Sequence, residues 1–189
     1  GGADFIEIYN RSDKAIDLYG WCLANADVNA NPDSLLTSTS IVEEQYTMLP
    51  KQFIVLTKDI KNVISQYNGC DEDISTKTFI DVSTPSFNDS EGVVAIVNCN
   101  TFFGENRLDY VHYYATWHHE ILDDKNGVSL ERISYDAPSN DANNWQTAAK
   151  SFCYATPGYT NSQTIDNDAT LDSNITITPT TFSPDGDGI

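Results

Sequence analysis

Gly127-Val128-Ser129-Leu130-Glu131-Arg132-Ile133-Ser134-Tyr135 follows the turn signal Asp124-Lys125-Asn126-Gly127. An Asn-Gly step tolerates the positive φ that a tight turn demands. The alternation that follows is that of an extended strand. Val128, Leu130 and Arg132 share one face, and Ser129, Glu131, Ile133 and Tyr135 share the other. An arginine between apolar neighbours needs a carboxylate if it is covered. The first strand signal, Asp4-Phe5-Ile6-Glu7-Ile8-Tyr9, offers Glu7 between Phe5 and Tyr9. The expectation is a structural ion pair between Glu7 and Arg132 that ties the first strand to this late one. A catalytic role for Glu7 is the less favoured reading, because a partnered carboxylate is held ionised.

The remaining chain reads as short strands separated by turns. After residues 5–9 come Ala15-Ile16-Asp17-Leu18 and Gly20-Trp21-Cys22-Leu23, and then a polar stretch, 24–40, expected to be a long surface loop. Thr47-Met48-Leu49-Pro50 leads into Phe53-Ile54-Val55-Leu56-Thr57, a continuous apolar run that suits a strand covered on both faces. Ile60, Val63, Ile64 and Tyr67 fall at helical spacing, with Asp59 as N-cap and Asn68-Gly69 as stop signal. Residues 79–82, 93–97 and 108–113 read as further strands, and 136–144 as irregular chain. Many short strands with one short helix indicate an all-β sandwich.

Composition narrows the function classes. The 189 residues suit one good-sized domain, alone or with a fragment of another. Hydrophobic residues make up 40% of the chain, with 10 Tyr, 8 Phe and 3 Trp, enough for a packed core. The net charge is -18, from 28 acidic against 10 basic residues, and there is no basic run. Nucleic acids and anionic lipid surfaces are therefore poor partners. No apolar stretch approaches the length of a membrane span. The sequence starts at Gly1 without a signal segment and reads as a piece of a longer polypeptide. Cys22, Cys70, Cys99 and Cys153 fit no zinc spacing. They read as buried free thiols, with disulfides in one of three connectivities as the alternative.

Taken together, Asp4-Phe5-Ile6-Glu7-Ile8-Tyr9-Asn10-Arg11-Ser12, Ile16-Asp17-Leu18-Tyr19-Gly20-Trp21, Gly127-Val128-Ser129-Leu130-Glu131-Arg132-Ile133 and Ala155-Thr156-Pro157-Gly158-Tyr159 resemble the lamin-tail domain of exported bacterial proteins, notably the Bacteroidetes type. The resemblance covers residues 1–162. It implies an immunoglobulin-like β-sandwich, export to the periplasm, cell surface or extracellular space, and accessory rather than catalytic work. Residues 163–189 read as a linker followed by the start of another domain. There Phe182-Ser183-Pro184-Asp185-Gly186-Asp187-Gly188-Ile189 resembles the opening of an immunoglobulin-like carboxy-terminal module. Members of the family commonly begin with one more strand than this chain shows. Asn174-Ile175-Thr176-Ile177-Thr178 is a candidate to fill that sheet edge, within the chain or by strand exchange in a dimer.

Few residues suggest chemistry. Trp117-His118-His119-Glu120 is the one cluster of metal-ligand types, but adjacent histidines on a strand point apart and the HExxH spacing is absent. A metal site at His118 and His119 is the minor reading. Asp185 and Asp187 resemble part of a calcium loop without its remaining ligands, and no other cofactor is implied. Nucleophile elbow, phosphate loop and dinucleotide fingerprint are all missing. The expectation is a non-enzymatic scaffold module that associates with a protein or cell-surface component. One alternative is a carbohydrate-binding module stacking sugar on Trp21, Trp117 and Trp145; another is a metal-dependent hydrolase centred on His118 and His119.

Overall fold

The computed structural model describes residues 4–27, 35–70, 72–100 and 107–165. Eleven strands and one α-helix fall in them: β1 (Ile6–Tyr9), β2 (Ile16–Asp17), β3 (Trp21–Ala26), β4 (Leu35–Ser40), β5 (Thr47–Met48), β6 (Phe53–Thr57), α1 (Ile60–Tyr67), β7 (Phe79–Asp81), β8 (Glu91–Asn98), β9 (Arg107–Tyr114), β10 (Leu130–Arg132) and β11 (Trp145–Thr147). The strands form several sheets, and the described residues are β-rich with a single short α-helix.

Four antiparallel strands lie in the order β4-β3-β8-β9. Three others lie in the order β1-β6-β7, with β1 antiparallel and β7 parallel to β6. Two-stranded ladders join β2 to β5 and β10 to β11.

The continuous apolar run of β6 is covered as its composition demands. Ile54, Val55, Leu56 and Thr57 are all fully buried. Ile54 and Leu56 join Leu18, Leu23, Ile41, Met48 and Val82 in one apolar cluster, against which Ile6, Ile8 and Trp21 also pack. A second cluster gathers Val63 and Tyr67 of α1 with Ile74, Ala155 and Tyr159. Helix α1 starts where its cap is: Asp59 accepts from the Asn62 N–H at 3.1 Å. Its buried stripe is Val63 and Tyr67, and the Tyr67 hydroxyl donates to the Gly127 carbonyl at 3.1 Å.

Two expectations are corrected. The polar stretch 24–40 is not one long loop, because β3 runs on to Ala26 and β4 pairs back along it. Asn25 conceals the strand: its side chain accepts from both the amide and the hydroxyl of Thr37, at 3.0 and 2.6 Å, and so belongs to the ladder. The cysteines are not free thiols. Cys22 joins Cys99 and Cys70 joins Cys153, with Cα atoms 5.3 and 5.8 Å apart. Each pair is about 80 residues apart in sequence, a separation that local pattern cannot register. Residues 174–178, Asp185, Asp187 and the boundary at 163–189 lie outside the described residues, apart from 163–165. Among the described residues no helix is long and apolar enough to cross a membrane.

Peptide mapping without reductant should recover the Cys22–Cys99 and Cys70–Cys153 cross-links and no iodoacetamide-labelled cysteine. Replacing Cys70 and Cys153 together by serine should lower stability by about 2–5 kcal/mol in denaturant melts. Labelled thiols in the native oxidised protein would contradict the pairing.

Candidate functional site: a carboxylate pair under the closing segment

Strand β10 keeps the alternation of its sequence but forms only three ladder pairs, Leu130, Glu131 and Arg132 against Thr147, Gln146 and Trp145. Glu131 faces inward and is 4% exposed. Its carboxylate accepts from the Thr156 hydroxyl at 2.5 Å and from the Ser162 hydroxyl at 2.6 Å. Glu7 of β1 points toward the same place and accepts from the Gly158 N–H at 2.6 Å. The stretches around Glu7, Glu131 and Thr156-Pro157-Gly158 thus meet at one point. Gly158 is suited to it twice over. Its φ is +88°, and a Cβ there would lie 2.6 Å from the Lys77 Cβ, so a larger residue would push the amide off Glu7.

The Glu7–Arg132 ion pair is not formed. Glu131 and Arg132 are consecutive on a strand and point to opposite faces, and it is the Glu131 face that meets Glu7. Arg132 turns instead to the chain that follows it. Its guanidinium donates to the carbonyls of Tyr135 (3.3 Å) and Ala137, with the Asp109 carboxylate 3.9 Å away. Asn144, which is buried, ties the same loop by donating to Ser134 and Pro138.

Burial holds the Glu7 carboxyl well above the ordinary glutamate range; the Gly158 N–H opposes that shift, and the Glu131 charge adds to it. Protonation therefore relieves a penalty rather than breaking a bridge. A carboxyl of this kind can act as an acid in catalysis. Here its surroundings are hydrogen-bond donors that already belong to the fold.

The other predicted residues fall elsewhere. His118 and His119 do not converge. His118 Nδ1 lies 3.3 Å from the Thr147 hydroxyl, whereas His119 Nδ1 accepts from the Ile121 N–H at 3.2 Å. Burial, with Lys125 nearby, holds His118 below the usual imidazole range. Among the described residues no group of three or more His, Cys, Asp or Glu side chains could hold a metal ion. Trp21 packs against the main apolar cluster. Trp117 and Trp145 do meet, with ring centroids 6.4 Å apart and planes 27° from parallel, and Tyr114 lies 5.8 Å from Trp117. The Trp145 Nε1–H donates to the Ser139 carbonyl at 2.7 Å. A shallow cavity of about 170 Å³ lies apart from both sites, lined by residues that include Asn25, Asp27, Phe87 and Glu91.

The sequence signals pointed at Glu7 and at the Thr-Pro-Gly turn but missed Glu131, Ser162 and the link between them. An acidic residue on the strand face that also carries Ile133 and Tyr135 is the signal that could have found Glu131.

Glu7→Gln keeps an acceptor for Gly158 and removes the charge. The folded Glu7 binds its proton more tightly than the unfolded one, so wild-type stability falls as pH rises from the ordinary glutamate range through the higher folded value. The variant should therefore melt a few degrees above wild type at pH 8, with the gap closing near pH 4. A variant less stable than wild type at pH 8 would contradict this. Arg132→Ala should lower stability by about 1.5–3 kcal/mol through the lost carbonyl contacts. Its effect should add to that of Glu7→Gln within about 0.5 kcal/mol, and strong coupling in the double mutant would restore the ion pair.

Compared with protein-family models, with curated proteins and with solved structures, the chain matches none.

Proposed function

We propose that this chain is a non-enzymatic interaction module of an exported bacterial protein, an immunoglobulin-like β-sandwich of the lamin-tail kind that associates with a protein or cell-surface component. One observation carries the reading. Three of the four stretches on which the resemblance rests, those of Glu7, Glu131 and Thr156-Pro157-Gly158, converge at the two carboxylates, where Gly158, Thr156 and the nearby Ser162 donate to them. In this reading the carboxylates position a surface rather than transform a substrate. The two disulfides favour folding in an oxidising compartment, in keeping with export. The strongly acidic composition keeps such a module soluble and away from nucleic acid. The hydrolase reading draws no support from His118 and His119, whose rings have separate neighbours.

A second reading, a carbohydrate-binding module, rests on the nearly parallel, partly exposed rings of Trp117 and Trp145. Flat sugar faces stack on such rings. Trp21 drops out of it, being packed against the apolar cluster.

The labelled full chain should bind bacterial envelope preparations saturably and be displaced by unlabelled chain. It should turn over chromogenic esters, phosphates or glycosides no faster than its Glu7→Gln and His118→Ala variants do. Turnover abolished by either substitution would overturn the reading. Polysaccharide quenching of intrinsic fluorescence that disappears in Trp117→Ala would replace it by the carbohydrate-binding one.

A further inference from the structure

Asn-Gly occurs twice in this chain, at Asn68-Gly69 and at Asn126-Gly127, and both asparagines are exposed. The pair has a chemistry of its own. A glycine carries no Cβ, so its backbone nitrogen approaches the Cγ of the preceding asparagine with little steric hindrance. Attack there expels the side-chain nitrogen. Which of the two pairs can react depends on what the fold does with the nucleophile and with the amide it must reach.

At the end of α1 both are held. Asn68 Oδ1 accepts from the Ile74 N–H at 2.9 Å, and its own N–H donates to the Ile64 carbonyl at 2.9 Å. The Gly69 N–H donates to the Glu72 carbonyl at 3.2 Å, and Cys70, anchored to Cys153, follows directly. Before β10 neither is held by the rest of the fold. Asn126 donates its N–H and its side-chain Nδ2–H to Asp124 Oδ1, at 2.9 and 2.7 Å, both within the turn itself. Among the described residues the Gly127 N–H donates to no acceptor. The Gly127 carbonyl, by contrast, accepts from the Tyr67 hydroxyl at 3.1 Å. Gly127 has a φ of +72°, and a Cβ there would collide with Gln66 Nε2, so this turn favours glycine and with it the reactive pair.

We propose that Asn126 is a site of spontaneous deamidation in the folded protein and that Asn68 is not. The Gly127 nitrogen bonds to Asn126 Cγ, the Cγ–Nδ2 bond breaks, and Nδ2 leaves as ammonia with the proton given up by the Gly127 nitrogen. The resulting succinimide takes up water and opens at either carbonyl, to aspartate or isoaspartate, with no oxidant or cofactor consumed. Either product puts an acceptor-only carboxylate where Nδ2 had donated to Asp124, so that contact turns from attraction to repulsion. Isoaspartate also lengthens the backbone by one methylene just before Gly127, the residue Tyr67 holds at the entrance to β10.

The test is peptide mapping of the full-length chain aged at pH 8. The peptide holding residue 126 should convert to aspartyl and isoaspartyl forms. The peptide holding Asn68, whose turn must first open, should convert at least about tenfold more slowly. In urea with the disulfides reduced, the two sites should convert at similar rates. The first acidic species to appear on ion exchange should be absent from Asn126→Gln, because the longer side chain closes the ring far less readily. An intact Asn126 in the aged folded chain, or equal conversion at the two sites, overturns the proposal. So does an early acidic species that persists in Asn126→Gln, or a difference between the sites that survives unchanged in urea.

Discussion

Two carboxylates brought under one turn of chain set the terms for the rest of this fold. Removing a carboxylate from water is costly unless it is paired or well hydrogen-bonded. At this site the compensation comes from a hydroxyl of Thr156, a hydroxyl of Ser162 and the amide of Gly158. All three donors belong to the last part of the described chain, so the first strand and β10 acquire their satisfied state only when that segment closes over them. Three hydrogen bonds of 2.5–2.6 Å from one stretch make the closing segment a structural member rather than a trailing loop.

The same segment is held from its other end by a covalent bond. Cys153, which adopts the left-handed conformation at φ 52°, is joined to Cys70 just beyond α1. Between that disulfide and Ser162, the chain packs Ala155 and Tyr159 into the cluster built on Val63 and Tyr67. The helix, the closing segment and β10 are thereby coupled: the Tyr67 hydroxyl holds Gly127 at the entrance to β10, and Thr156 holds Glu131 within it. Both faces of β6 depend on this arrangement, since Ile54 and Leu56 serve one apolar cluster while Val55 lies on the side toward Gly158.

What could be read from sequence was whatever carries its own local period. The helical spacing of Ile60, Val63, Ile64 and Tyr67 and the Asp59 cap describe α1 almost to the residue. The apolar run of β6 announced a strand buried on both faces, and β8 and β9 were visible as well. The misassigned pairings have one physical cause, which is that partners distant in sequence leave no local trace. Glu7 was assigned to Arg132 when its true neighbour is one residue earlier, and on a strand one residue is the opposite face. Strand β4 was hidden because Thr37, Ser38 and Thr39 are polar, and polar residues suit an outer strand as well as a loop. Trp145–Thr147 was hidden in a different way: the three-residue strand has too few residues to show alternation at all.

The scarcity of basic residues explains why the site is built from neutral donors. Of the 10 Lys and Arg residues, Arg11 pairs with Asp136, Lys51 with Asp13 and Lys77 with Glu72, all toward the surface, while Arg132 serves loop carbonyls. None is placed on Glu7 or Glu131. A guanidinium on Glu7 would have lowered its carboxyl pKa; the Gly158 amide is too weak a substitute, and burial and the neighbouring Glu131 charge push that pKa up instead. Glu7 thus responds to pH from inside the fold, where dissolved salt screens poorly. The closing segment does not hang on that one proton, because Thr156, Ser162 and the Cys70–Cys153 disulfide hold it over β1 and β10 together with the Gly158 amide.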